Sequence, residues 1–240
     1  MPREKLVSLS DGSAFDELFK QTLTADVPIP IGTFDDFVQD IFALSYPQHN
    51  MNTWHIRLLA HKIDEMLKDS NSEKKILGVL PRYHLKSTIL GYATTIYRML
   101  KNEGGNDEGM YISYKDESAN YHSRHIKKTV ADNPKLSPFM KDTHPQSDYN
   151  VGYKIGSKTV QIYTSGVTSF KRGWHCDLSV VCDDILGDLT NPMMLKELED
   201  TERAFNQEIS QIPNKGCLFV VVGTVIDYTD LLFKLKQDKS

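Results

Sequence analysis

The sequence predicts an α/β fold in which a central, mostly parallel β-sheet is flanked by helices. Two observations carry that expectation. Five apolar runs, at 76–80, 110–114, 159–163, 178–182 and 218–222, are strand-length and rich in branched or aromatic residues. Segments of helical periodicity lie between them, and strands apolar on both faces belong to a parallel sheet covered by helices. The size allows such a fold, since 240 residues with 40% hydrophobic side chains can bury one large core.

Taken in order, the first thirty residues read as a loosely packed arm that ends in the proline-rich Val27-Pro28-Ile29-Pro30. The expected division is therefore an arm over 1–32 and a single domain over 33–240. A helix should begin after Thr33, because Phe34, Phe37, Val38, Ile41 and Phe42 recur at helical spacing and Thr33 with Asp36 resembles a capping pair. After a loop at 45–52, a second helix from Thr53 places Ile56, Leu59, Ile63 and Met66 on one face and stops near the polar stretch 69–72. The strand runs then begin. Further helices are expected after Thr88, over 116–131 and over 192–209, while 141–157 reads as a loop or hairpin.

Composition narrows the function classes. No apolar run approaches the roughly 20 residues that cross a bilayer, and Met1-Pro2-Arg3-Glu4-Lys5 does not open a secretory signal, so the expected setting is a cytoplasm, away from membranes. Cys176, Cys182 and Cys217 form no CxxC pair, and their odd number argues for small core residues over a disulfide framework. His122 and His125 lack the neighbouring cysteines of a structural zinc site. A net charge of −4 offers no global attraction to nucleic acid. Any DNA contact would rest on local cations such as Lys127-Lys128 or Lys171-Arg172, which in most proteins are solvated surface charges.

Three segments carry chemistry. Leu80-Pro81-Arg82-Tyr83-His84-Leu85-Lys86-Ser87-Thr88 follows a strand and precedes a helix, where backbone N–H groups and a helix N-terminus meet phosphates. Lys86 would contact the β- and γ-phosphates, Ser87 would ligate Mg²⁺, and Thr88 would reach the α-phosphate. The usual GxxxxGK[ST] pattern has glycines where this chain has Leu80 and Leu85, so the segment alone also fits a strand-to-helix turn with a surface lysine.

Leu178-Ser179-Val180-Val181-Cys182 leads into Asp183-Asp184, two carboxylates delivered to the carboxyl edge of a sheet. Asp183 would hold the Mg²⁺ water shell and Asp184 would orient and deprotonate the attacking water, with Asp188 sharing the task if the shorter aspartate does not reach. The bland alternative is an acidic turn. Leu218-Phe219-Val220-Val221-Val222 ends in Gly223-Thr224, a small residue and a hydroxyl placed to sense a γ-phosphate, although a glycine commonly ends a strand. The order of the three favours an NTP-hydrolysing P-loop domain; the additional-strand (ASCE) type, with ATP and Mg²⁺ as its ligands, is expected together with the resemblance that follows.

Residues 45–235 also resemble the ATPase domain of tailed-bacteriophage large terminases. The matching pieces are Pro81-Arg82 through Lys86-Ser87-Thr88, Tyr111-Ile112-Ser113-Tyr114 with Ala119, Ile126-Lys127-Lys128 with Asn133-Pro134-Lys135-Leu136, Arg172-Gly173 before Asp177-Leu178 and Asp183-Asp184, and Val222-Gly223-Thr224 before Asp230-Leu231-Leu232. The resemblance implies an ATP-driven motor, working in a homo-oligomeric ring on the portal protein of a procapsid in the host cytoplasm, with double-stranded DNA and the small terminase subunit as partners. It implies Arg82 at the γ-phosphate, Gly223-Thr224 as the coupling element, and Pro47, Trp54 and His55 near adenine, packing of Trp54 into the core being the alternative. Arg124 and Arg172 are the candidates for an arginine donated to a neighbouring subunit, and surface or DNA contact is their alternative. Tyr83 and Leu85 stand where the commoner family pattern has glycine. Full-length members continue into a ribonuclease H-like nuclease, whereas sixteen residues follow Thr224 here, so no DNA cleavage is expected of this chain. The rival readings are a helicase-like motor and a degenerate P-loop domain that serves as an assembly module without hydrolysis.

Overall fold

The computed structural model describes residues 31–68, 74–101, 107–169, 173–188, 191–192, 194–225 and 230–237, so the arm expected over 1–32 lies almost wholly outside the described residues. Helix α1 (Phe34–Asp40) starts where the sequence places it. Thr33 Oγ1 accepts from the Asp36 amide at 3.1 Å while the Asp36 carboxylate accepts from the Thr33 amide at 2.9 Å, the two halves of a capping box. The periodicity extends to Phe42, but the helix stops at Asp40 and the chain tightens into a 3₁₀ turn, Phe42–Ser45. Helix α2 (Trp54–Lys68) docks on α1 through Asp64, whose buried carboxylate accepts the amides of Phe34 at 2.5 Å and Asp35 at 3.1 Å.

The sheet is built from β1 (Lys75–Val79), β2 (Glu108–Ser113), β3 (Met140–Asp142), β4 (Asn150–Ile155), β5 (Lys158–Gly166), β6 (Ser179–Asp183) and a later strand, β9 (Leu218–Gly223). Between them lie a two-residue ribbon of β7 (Gly187–Asp188) with β8 (Asn191–Pro192), and the helices α3, a π-helical stretch at Ser87–Ala93 continuing as α-helix over Thr94–Lys101, α4 (Asp116–Ala131) and α5 (Leu195–Gln207); α6 (Leu231–Gln237) follows β9. The strand order is β1-β9-β6-β2-β5-β4-β3. The first five are mutually parallel, and β4 and β3 extend the edge antiparallel, so the stretch at 141–157 is a hairpin. An extra strand, β9, thus separates β1, the strand before the loop 81–88, from β6, the strand that ends in two acids, the topology of the additional-strand P-loop class. The helix expected over 192–209 begins later, because Pro192 is taken into the ribbon and the Glu197 carboxylate accepts the Met194 amide at 2.8 Å to start α5 there.

Alternation along the strands divides the core in two. Tyr111, Val181, Leu218, Val220 and Val222 pack on α1 to α4, while Met110, Ile112, Val180, Cys182, Phe219 and Val221 face Phe205 of α5 and Leu231 and Leu232 of α6. All three cysteines are free and buried in the second layer, as small core residues. Asn133, in the motif after α4, is fully buried and donates to Ile41 O and Ser45 Oγ, both at 2.8 Å, which fastens α4 to the turn after α1. Among the described residues no helix is long and apolar enough to cross a membrane.

Candidate functional site

Strand register brings the chemistry to one edge. Val79 pairs with Gly223, and Val222 with Asp183, which in turn pairs with Ser113, so four strand ends lie in a row at the carboxyl edge of the sheet. Ligands of open α/β sheets bind outside that edge. The loop 81–88 follows β1, and its Arg82, Tyr83, Leu85, Lys86, Ser87 and Thr88, with Tyr121, Asp184, Gly187, Thr224 and Val225, line a cleft of about 620 Å³. A second depression of about 430 Å³, lined by Trp174, His175, Gln207, Glu208 and Gln211, opens among the segments that lead into β6 and β9, away from these residues.

The loop makes its turns without the glycines. Tyr83 and Leu85 both turn through the left-handed region, at φ +66° and +55°. That conformation costs a residue with a Cβ on the order of 1–2 kcal/mol. Part of the cost is offset locally. The His84 ring donates from Nδ1 to the Arg82 carbonyl at 2.9 Å across the turn, and Leu85 rests against the core while its carbonyl accepts the Ile89 amide at 2.8 Å to open α3. Tyr83 has no such return, since its side chain is 99% exposed.

Behind the loop, Lys86 is buried and donates to Asp184 Oδ1 at 3.0 Å and Thr224 Oγ1 at 2.8 Å, joining the loop to both neighbouring strand ends. Asp184 is itself held at φ +47°, its amide paired with Val222 O at 2.9 Å. Asp183 is fully buried and accepts Ser87 Oγ on Oδ1 at 2.9 Å and the Tyr111 hydroxyl on Oδ2 at 2.6 Å. Burial, reinforced by the Asp184 charge, pushes its carboxyl up to about 6 against the pull of the Tyr111, Ser87 and Lys86 contacts. Burial likewise holds the Tyr111 phenol well above its ordinary range, so it stays a donor, and lowers His122 to about 4. His122 stacks on Tyr111 at 5.0 Å, sits 3.8 Å from Asp183 Oδ2 and pairs with the Tyr92 hydroxyl at 2.8 Å.

This donor set fits Mg²⁺. Adjacent oxygens of an octahedral shell with ligands at 2.0–2.1 Å lie about 2.9 Å apart. The hydroxyl of Ser87 and Oδ1 of Asp183 are 2.9 Å apart and all-oxygen, a hard donor pair.

The π-helical start of α3 shapes the site as well. A widened turn leaves carbonyls to satisfy, and the Thr94 and Thr95 hydroxyls take them, at Leu90 O (2.5 Å) and Gly91 O (2.7 Å). Gly91 then lies under the Tyr111 hydroxyl so closely that a Cβ would meet it at 2.4 Å. At Gly223, a Cβ would meet Leu232 Cδ1 at 2.5 Å, so close packing of α6 is a sufficient reason for that glycine.

Other expected residues fall in several places. Pro81 and Arg82 are exposed on the loop, and Arg82 and Thr88 line the cleft. Trp54 does not enter the core; it is 79% exposed and edges against His55, whose ring lies 5.7 Å from His84. Pro47 is exposed, and none of these three lines the cleft. Arg124 stands on α4 in an exposed pair with Asp148 at 3.0 Å, also outside the cleft. Lys171 and Arg172 lie outside the described residues, as does the side chain of Asp188. Lys127 is not a solvated cation, because it donates to the carbonyls of His144 and Ser147 and pairs with Asp142, holding the β3–β4 segment to α4; Lys128 is exposed and pairs with Asp132.

Three comparisons bear on this arrangement. No protein-family model matches the sequence, and no curated protein matches it. In structure, the chain superposes on the HK97 bacteriophage large terminase with a TM-score of 0.60 over 86% of its length, at 14% sequence identity. The chain has the large-terminase fold. It spans about 40% of the length of that terminase. Sequence reading missed Tyr111, Tyr92, His122 and Gly91 as parts of the site. One signal was available: Tyr111 lies two residues before a strand's carboxyl end, hence on the same face as Ser113, the strand partner of Asp183.

Proposed function

We propose that this chain is the ATP-hydrolysing motor unit of a phage large terminase and drives double-stranded DNA into a procapsid. The observation that carries the reading is the convergence of Lys86, Ser87, Asp183, Asp184 and Thr224 beneath a loop that keeps its left-handed turns with Tyr83 and Leu85 in place of glycine. The same observation weighs against a degenerate loop, because strain is retained at functional positions more than at idle ones.

In this reading the loop amides and the N-terminal end of α3 bind the phosphates, and Lys86 exchanges Asp184 and Thr224 for the β- and γ-phosphate oxygens. Mg²⁺, when bound at Ser87 and Asp183, supplies charge neutralisation to the nucleotide. Release of Lys86 leaves the Asp184 carboxylate to orient water and take its proton as the γ-phosphoryl group transfers, giving ADP and phosphate. Arg82 adds positive charge at the γ-phosphate, Thr88 reaches the α-phosphate, and His55 with Trp54 offers rings toward the base. Thr224 changes partner when Lys86 does, which links the nucleotide to β9 and α6.

The proposed partners are double-stranded DNA, the portal protein, the small terminase subunit and further copies of this chain in a ring, with Arg124 or Arg172 reaching a neighbour's site. The host cytoplasm is the proposed setting. A packaging assay separates this reading from a helicase-like one. With portal-bearing procapsids and ATP the chain should protect linear DNA from nuclease without displacing a labelled strand. Strand displacement without protection contradicts the proposal.

A further inference from the structure

We propose that Tyr111 sets the metal preference of this site: by holding one oxygen of Asp183 inside the core it leaves that carboxylate a single oxygen to offer, which favours Mg²⁺ over Ca²⁺. The inference rests on the ATPase reading above.

It starts from an asymmetry between the two oxygens of Asp183. Oδ1 accepts Ser87 Oγ, a hydroxyl that lines the cleft and can turn toward a metal. Oδ2 accepts the Tyr111 hydroxyl at 2.6 Å, and Tyr111 cannot follow a metal. Its ring is fully buried, with His122 stacked on it at 5.0 Å and the ring of Tyr92 at 6.2 Å. Tyr92 in turn fixes His122 by their 2.8 Å contact, and Gly91 closes the space under the hydroxyl too tightly for a methyl group. Oδ2 therefore stays with its phenol, while Oδ1, buried behind Ser87, is the one oxygen left for a metal that Ser87 turns toward.

The two cations weigh this differently. Mg²⁺ takes six oxygens at about 2.0–2.1 Å and keeps several waters, so a carboxylate that fills one position, or holds one of those waters, suits it. Ca²⁺ takes about six to eight oxygens at about 2.3–2.6 Å and binds carboxylates through one oxygen or both, the second contact helping to fill its higher count. A one-oxygen Asp183 withholds that second contact. The role belongs to positioning, since Tyr111 acts through Asp183.

The test is binding of a fluorescent N-methylanthraniloyl ATP to the full chain, titrated with MgCl₂ and separately with CaCl₂. Wild type is compared with Tyr111→Phe, which removes only the hydroxyl, and with Gly91→Ala, which displaces the hydroxyl from the opposite side. Thermal melts by circular dichroism confirm that each variant is folded, and either variant alone suffices. In both variants the Mg²⁺ concentration for half-maximal binding should rise about tenfold, the usual consequence of losing a ligand's orienting partner. The Ca²⁺ requirement should move less than about twofold or fall, so that the preference narrows. An equal loss with both metals, the result of a merely structural role, or no change with either, overturns the inference while leaving the ATPase reading intact. A wild type that binds the nucleotide with neither metal overturns both.

Discussion

Tyr83 and Leu85 allow the loop's conformation to be tested by stability alone. Each sits at positive φ, +66° and +55°, where a Cβ is strained and glycine is not. Glycine also loosens the unfolded chain, so the informative comparison is between glycine and alanine at one position, which differ only in the Cβ and that freedom. At Tyr83 the side chain is 99% exposed and truncation sacrifices no packing. Tyr83→Gly should therefore exceed Tyr83→Ala by about 1 kcal/mol, reversing the order seen in helices, and melt roughly 2–4 °C higher for a domain of this size. At Leu85 the same gap is expected, but both variants should fall below wild type because the leucine rests on the core. Urea unfolding followed by circular dichroism, with matched slopes, reads the difference. Alanine equal to or better than glycine at both positions would show that the loop does not hold left-handed turns and would remove the main structural support for phosphate binding.

Three further outcomes follow from the site. Asp184→Asn should bind Mg²⁺ and ATP yet release no phosphate, because an amide takes no proton from water, whereas Asp183→Ala should fail at Mg²⁺-dependent binding; equal turnover in both and wild type refutes the division. Asp183 has a folded pKa of about 6, above the ordinary value of 3.8. The folded state therefore keeps a proton that the unfolded state loses, and stability is full below about pH 4 and lost as pH rises through about 6, on the order of 2–3 kcal/mol in the nucleotide-free protein. Burial of His122, lowered to about 4, adds a rise of opposite sign over the same interval, so the Asp183 contribution is read as a difference: the wild-type urea midpoint relative to that of Asp183→Asn should fall between pH 4 and 7.5, and a relative rise contradicts it. For Arg124, alanine substitution should preserve ATP binding and reduce turnover by about 10³ if it serves a neighbour, and mixing with Lys86→Ala should restore part of it. No rescue on mixing removes Arg124 from that role.

Much of the fold was legible because its central strands β2, β6 and β9 are buried on both faces. Runs such as Leu218–Gly223 have no polar face to blur the signal, and the five expected strands fall within a few residues of those observed. The hairpin at 140–155 was left open as loop or hairpin because exposed Lys141, Asp142 and Lys154 interrupt its pattern. The stop of α1 at Asp40 depends on the 3₁₀ turn and on Asn133, over 90 residues away, so local periodicity overran it. At the site, residues whose chemistry depends on chain order were legible: Lys86, Ser87, Asp183, Asp184 and Thr224 follow or precede strand ends and meet there. Residues whose role depends on the sheet's lateral order were not. Tyr111 becomes a partner of Asp183 only because β2 lies beside β6, and His122 was weighed for zinc when its place is against that tyrosine. For Trp54 the alternative of a core position fails, since its ring faces solvent beside His55, which leaves the place near adenine as the reading proposed for it.

The central claim is that this chain turns over ATP at the cleft over the carboxyl edge, and it is tested most directly by phosphate release from MgATP, with and without linear double-stranded DNA. Lys86 is the buried lysine that now bridges Asp184 and Thr224. The account predicts phosphate release by the wild type, raised by DNA, and none above background by Lys86→Ala at any ATP concentration. Equal release by wild type and Lys86→Ala, or no nucleotide binding by the wild type at millimolar ATP and Mg²⁺, would contradict it.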